Sequence, residues 1–147
     1  MTKDVILKIS GLHYAMMEDT DENEPIEVIT PASYYLKNGK HYIIYDEVVE
    51  GLPGTIKNKI RMTEDRVLEI MKSGIADAHM TFEKGKIHAS AYETPYGEFS
   101  IGIYTRELLF KEEENRITIA VNYELDINGE KAADCDIRIE VKGKERA

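Results

Sequence analysis

Ile117-Thr118-Ile119-Ala120-Val121-Asn122-Tyr123-Glu124-Leu125-Asp126-Ile127 runs directly into Asn128-Gly129, and Cys135-Asp136-Ile137-Arg138-Ile139-Glu140-Val141 follows shortly after. In both stretches every second residue is apolar. A period of two places alternate side chains on opposite faces of a strand. One face is then buried and the other wet, which is the antiparallel pattern. Asn128-Gly129 is a two-residue hairpin signal, because both residues tolerate a positive φ.

The same pattern recurs along the chain. Val5, Leu7 and Ile9 alternate with Lys8 and Ser10, and Ile26, Val28, Thr30, Ala32, Tyr34 and Leu36 share one parity. Asn38-Gly39, Lys84-Gly85 and Pro95-Tyr96-Gly97 supply further turns. About ten strands are expected, near 4–14, 25–37, 41–49, 54–62, 66–72, 75–83, 86–94, 98–110, 116–127 and 132–142. No connection is long enough for a parallel crossover. A meander of this length exposes two edges unless it closes, so an all-β, up-and-down antiparallel barrel is predicted. One segment is ambiguous: Thr63 to Gly74 also carries helix signals, a cap at Thr63 and a stop at Gly74. The alternation of Leu68 and Ile70 about Glu69 favours a strand.

The chain has 147 residues and 16.8 kDa, which suits one domain over 1–147. Nineteen basic against 28 acidic residues give a net charge of −9, and such a surface disfavours nucleic acid as a partner. A single cysteine excludes an internal disulfide framework and a cysteine-based zinc site. No apolar run approaches the roughly 20 residues of a membrane helix, and the apolar stretch after Met1 is too short for a secretory signal. A soluble, cytoplasmic protein without a membrane partner is expected.

The inward set is mostly aliphatic: Val5, Leu7, Ile9, Val28, Ile56, Ile60, Met80, Phe82, Ile101, Ile103, Ile119, Val121, Ile137 and Ile139. Ala76, Ala78, Ala89, Ala91 and Gly102 either leave an internal space or let neighbours approach closely. Two strands have faces that hydrophobicity does not rank. In 86–94, Ile87, Ala89, Ala91 and Glu93 oppose His88, Ser90, Tyr92 and Thr94. In 41–49, Tyr45 and Glu47 share a face with Ile43. A buried Glu47 needs a partner, and Lys72, on the parity of Leu68 and Ile70, is the obvious inward cation. Tyr45, Glu47, Lys72, Tyr92, Thr94 and Tyr123 are therefore the candidate ligand-binding residues. The expected ligand is a small, partly apolar molecule.

Other chemistry finds less support. His13, His41, His79 and His88 have no metal-pair spacing, and no cofactor motif occurs. Asp19, Asp21 and Asn23 imitate a calcium loop, but Glu24 stands where glycine is required. Cys135 lies on a core parity. Two alternatives to a binding barrel stand. One is a filled barrel acting through its outer face, as an interaction or homodimer module. The other is an enzyme built on His88 and Glu47.

Gly51-Leu52-Pro53-Gly54-Thr55, Met71-Lys72-Ser73-Gly74, Met80-Thr81-Phe82, Tyr92-Glu93-Thr94-Pro95-Tyr96-Gly97, Thr105 and Tyr123-Glu124-Leu125 together resemble the YwiB-like family of uncharacterised bacterial proteins, over nearly the whole chain. That resemblance implies a lipocalin-like, calycin-type barrel from a Firmicutes-type bacterium and implies no activity. Lys72 stands where the family more often shows arginine, which keeps the charge and loses bidentate pairing. The Gly-x-Trp signature of true lipocalins is absent, since the chain has no tryptophan. The Arg-x-Tyr pair of fatty-acid-binding proteins is replaced by Arg138-Ile139-Glu140, which argues against a fatty acid.

Overall fold

The computed structural model describes residues 3–11, 27–48, 51, 53–64 and 66–143. The calcium-like acidic stretch, His13 and the ends of the first two predicted strands lie outside them. Ten strands form: β1 (Asp4–Ser10), β2 (Glu27–Lys37), β3 (Lys40–Val48), β4 (Thr55–Thr63), β5 (Val67–Gly74), β6 (Asp77–Glu83), β7 (Ile87–Thr94), β8 (Gly97–Glu113), β9 (Arg116–Ile127) and β10 (Glu130–Gly143). Each pairs antiparallel with its chain neighbour, and β1 pairs with β10 to close the barrel. Closure removes the exposed edges that an open meander would carry.

The turn chemistry performs as expected. Asn38 and Gly39 have φ of 53° and 76°, and Asn128 and Gly129 have 51° and 87°. The ambiguous segment is strand, because Glu64 turns the chain at φ 51° and Arg66 N–H bonds back to Thr63 O at 3.0 Å. β5 then returns alongside β4 with Leu68 and Ile70 buried.

The aliphatic parities meet in rows across the ladder. Ile9, Ile139 and Ile119 form one row, and Leu7, Val141 and Ile117 another. All six are buried, and each such side chain contributes about 1.5–3 kcal/mol of hydrophobic stabilisation. Every residue of the predicted inward set is buried except Val28, which is half-buried.

β7 faces the other way from its hydrophobicity. Tyr92 is buried at 6%, while Ile87 on the opposite parity is 72% exposed and Ala89 and Ala91 are also exposed. The polar parity of β7 thus lines the interior. Its pairing with β6 is confined to Asp77↔Glu93 and Ala78↔Tyr92. All other neighbouring strands are laddered over at least five residues.

Candidate functional site

One cross-strand row carries several of the inward polar groups. Tyr45 on β3 pairs with Asn58 on β4, Asn58 with Lys72 on β5, Lys72 with Ala78 on β6, and Ala78 with Tyr92 on β7. All five residues are buried. Such a row exists because one-residue alternation keeps each strand's inward set in phase with its neighbour's. The β5–β6 connection sits two residues beyond it. Gly74 there has φ 122°, and a Cβ would lie 2.3 Å from Thr55 O, so only glycine lets β4 and β5 close at this point.

Glu47 reaches the row from the next inward position of β3. Lys72 Nζ donates to Asn58 Oδ1 at 2.8 Å and to Glu47 Oε1 at 3.2 Å. Asn58 Nδ2 donates to the same Glu47 oxygen at 3.2 Å. The result is a closed triangle of cation, carboxylate and amide. The Lys72 side chain is 1% exposed and that of Glu47 23%. Burial pulls the Lys72 ammonium below its ordinary range, and Glu47 opposes that shift by favouring the charged form. Burial and the Glu47 charge both raise the Tyr92 phenol.

Of the six expected binding residues, Tyr45, Glu47, Lys72 and Tyr92 come together here. Thr94 closes β7, but its side chain lies outside the described residues. Tyr123 is buried elsewhere in the barrel wall. It pairs with Cys135 and packs edge-on against Phe82, with ring centres 5.0 Å apart. Burial first, and then Cys135, push its phenol well above the usual tyrosine range. Burial also raises the Cys135 thiol, as suits a core cysteine.

Asn58 was not anticipated, although a signal for it exists. It is the polar member of the inward series Ile56, Asn58, Ile60, Met62. Thr105 follows Ile101 and Ile103 in the same manner. It is fully buried, and its Oγ1 has no hydrogen-bond partner among the described residues. A second buried polar contact lies near the β2–β3 hairpin, at the other end of β3 from Glu47. There Tyr34 Oη and His41 Nδ1 share a hydrogen bond at 2.6 Å, with Glu112 3.8 Å from His41 Nε2.

His88 and Glu47, the acid–base pair that an enzyme would need, are not in contact among the described residues. His88 Nε2 lies 3.2 Å from Glu83 Oε1, whereas Glu47 is held by Lys72 and Asn58. His79 is likewise bound to Glu69 at 2.8 Å. No group of three or more potential metal ligands occurs among the described residues. None of their helices is long and apolar enough to cross a membrane.

These features define a class, a closed ten-stranded antiparallel barrel with a buried, charge-paired polar cluster on a mostly apolar inner wall. Residues 12–139 match the family described as a domain of unknown function (DUF1934), and the chain belongs to that family. It is 28% identical over 116 residues to the uncharacterised β-barrel protein YwiB of Bacillus subtilis (strain 168), covering 79% of this chain and 80% of that protein. The crystal structure of the B. subtilis ywiB protein superposes with a TM-score of 0.78 at 21% identity, over 97% of this chain and 93% of the other. The shared fold is therefore the barrel.

Proposed function

We propose that the barrel is a non-catalytic, lipocalin-like carrier that holds a small, partly apolar molecule inside, against the row formed by Tyr45, Asn58, Lys72 and Tyr92. The observation that carries this reading is the Lys72–Glu47–Asn58 triangle. Burying an ion pair costs several kcal/mol per ion in desolvation, and an apolar replacement is often as stable or more so. A fold that retains such a pair on a mostly apolar wall gains recognition from it. Small side chains at Ala78 within the row and at Ala76 two residues before it, with the inward hydroxyls of Tyr45 and Tyr92, fit the usual pattern of an apolar site with a few polar anchors. The cytosol is the proposed compartment, since the one cysteine is unpaired and buried.

Native mass spectrometry of freshly purified protein tests this. A retained small molecule in the wild type that is lost in Lys72→Met is the expected result. Bare chain mass in both, together with no uptake of the uncharged probe N-phenyl-1-naphthylamine by the wild type, defeats the reading.

A second reading rests on the outer face of β7 and β8, where exposed Ile87 pairs with Tyr104 beside exposed Ala89 and Ala91. An apolar stripe of this kind suits a homodimer contact. Light scattering that gives a monomer at high protein concentration removes it.

A further inference from the structure

Among the described residues, the ladder between β6 and β7 is interrupted over most of its length, although Lys86 N–H bonds to Glu83 O at 3.0 Å at the hairpin. Beyond the rung Ala78↔Tyr92, residues 79–83 of β6 and 87–91 of β7 have no ladder partners in each other. Five residues a side at strand rise make a seam roughly 17 Å long. Its far end is fastened to a third strand. Gly85 N–H bonds to Thr105 O of β8 at 2.8 Å, and Thr105 N–H bonds to Lys86 O at 3.3 Å. The Glu83–His88 contact spans the seam at that same end. Its near end is the Lys72–Ala78–Tyr92 row itself.

The two ends and the middle differ in chemistry. At the near end stand the Lys72 triangle and Tyr92. Between the ends, Met80 and Phe82 face inward from β6, opposite half-buried Ser90 and His88. At the far end lies the buried Thr105 hydroxyl, without a partner among the described residues. At the near end the Lys72 ammonium is already paired with the Glu47 carboxylate within the shared hydrogen-bond triangle. A carboxylate brought to Lys72 meets the Glu47 carboxylate at close range, and that like-charge repulsion offsets what the ammonium offers. A neutral hydroxyl or amide meets donors and acceptors without this penalty.

We propose, on the basis of the interior-binding reading above, that the β6–β7 seam is the lateral mouth of the site and that it admits an elongated, uncharged amphiphile. Its polar head docks on the Tyr45–Asn58–Lys72–Tyr92 row, and its apolar tail lies along Met80 and Phe82. The mouth needs no domain motion. It needs only that two strand segments without mutual ladder bonds separate further.

The test uses the full chain and N-phenyl-1-naphthylamine as the probe. Cysteines at Thr81→Cys and Ala89→Cys continue the register of the last rung and can bridge the seam. If the disulfide does not close on oxidation, a short bis-maleimide joins the same two thiols. Bridging is expected to slow both association and dissociation of the probe by about ten-fold or more with little change in Kd, as for a gated site. In competition, decanol is expected to displace the probe about ten-fold more effectively than decanoate. Unchanged rates after bridging overturn the mouth while leaving interior binding intact. Decanoate competing as well as decanol overturns the uncharged head. A wild-type protein that takes up no probe defeats the interior-binding reading itself.

Discussion

The triangle predicts an asymmetry between its two charged members. Glu47→Gln replaces the carboxylate that accepts from the Lys72 ammonium, whose side chain is 1% exposed, with a neutral amide. Lys72→Met removes the ammonium from the Glu47 carboxylate, which is 23% exposed and still accepts from Asn58 Nδ2. Removing one partner of a buried pair costs about 3–5 kcal/mol, because an uncompensated charge stays behind. The deeper charge is Lys72, so Glu47→Gln belongs near the top of that range and Lys72→Met at or below its bottom. For a chain of this length roughly 3 °C of Tm corresponds to 1 kcal/mol, which separates the two variants by several degrees. The pH dependence sharpens the test. Burial already holds the folded Lys72 below the unfolded value of 10.5, and loss of Glu47 pushes it lower. Between the folded and unfolded values the unfolded chain binds more protons, so stability rises with pH across that window. The deficit of Glu47→Gln relative to wild type therefore shrinks between pH 7 and pH 10, while that of Lys72→Met does not. Urea unfolding of both variants and wild type at the two pH values measures this. Equal deficits, or a Glu47→Gln deficit independent of pH, would refute the reasoning from buried charge.

Three further outcomes follow from the same geometry. Gly74→Ala places a methyl 2.3 Å from Thr55 O in a left-handed backbone conformation, so it is expected to cost more than the roughly 1 kcal/mol of an unobstructed glycine replacement; a thermal melt within 2 °C of wild type contradicts the close approach. Cys135 is buried with a raised thiol pKa, so iodoacetamide labelling at neutral pH is expected to be slow in native protein and fast in urea, and mass spectrometry of timed samples reads the ratio. On the outer wall, burial raises the Glu69 carboxyl, but the Arg61 fork (2.6 and 2.7 Å) and His79 outweigh it and hold it below its ordinary 4.5. Its contribution is thus present above that value and lost as pH falls through the lower folded one, and Glu69→Gln is expected to flatten this limb of the stability curve in acid unfolding titrations.

Much of the architecture was legible because alternation is a local property. The runs 117–127 and 135–141 announce their buried faces residue by residue, and Asn38-Gly39 and Asn128-Gly129 announce their turns. Glu47 and Lys72 were legible for a different reason. Lys72 lies on the apolar parity of Leu68 and Ile70, and Glu47 shares a face with Ile43 on a strand whose faces hydrophobicity does not rank, but a buried charge on either demands a partner. What alternation does not carry is height along the barrel axis. That is set by the stagger between strands, which accumulates around the whole circumference. Tyr45 and Tyr92 land in the row of Lys72, whereas Tyr123, on an equally convincing inward parity, lands beside Phe82 and Cys135. Asn58 was missed because a lone amide among aliphatic residues is read as neutral until its neighbours across the sheet are known.

The inverted polarity of β7 and its loss of pairing with β6 have a common physical basis. A strand holds its place in a barrel by ladder bonds on both edges and apolar side chains on the inner face. β7 points Ser90 and His88 inward at half burial and leaves Ile87, Ala89 and Ala91 outside. It therefore lacks the hydrophobic contribution that fixes β9 or β10 and is held along most of its length by β8 alone. Turning the strand over would bury Ile87 and restore a conventional wall, and would remove Tyr92 from the row. The sequence places Tyr92 inside at the cost of a weaker wall, and local departures from the rules of stability concentrate where a fold does its work. The weakest seam of the barrel begins at the rung that carries Tyr92, next to the one buried ion pair among the described residues in which both charges come from long side chains on the inner wall.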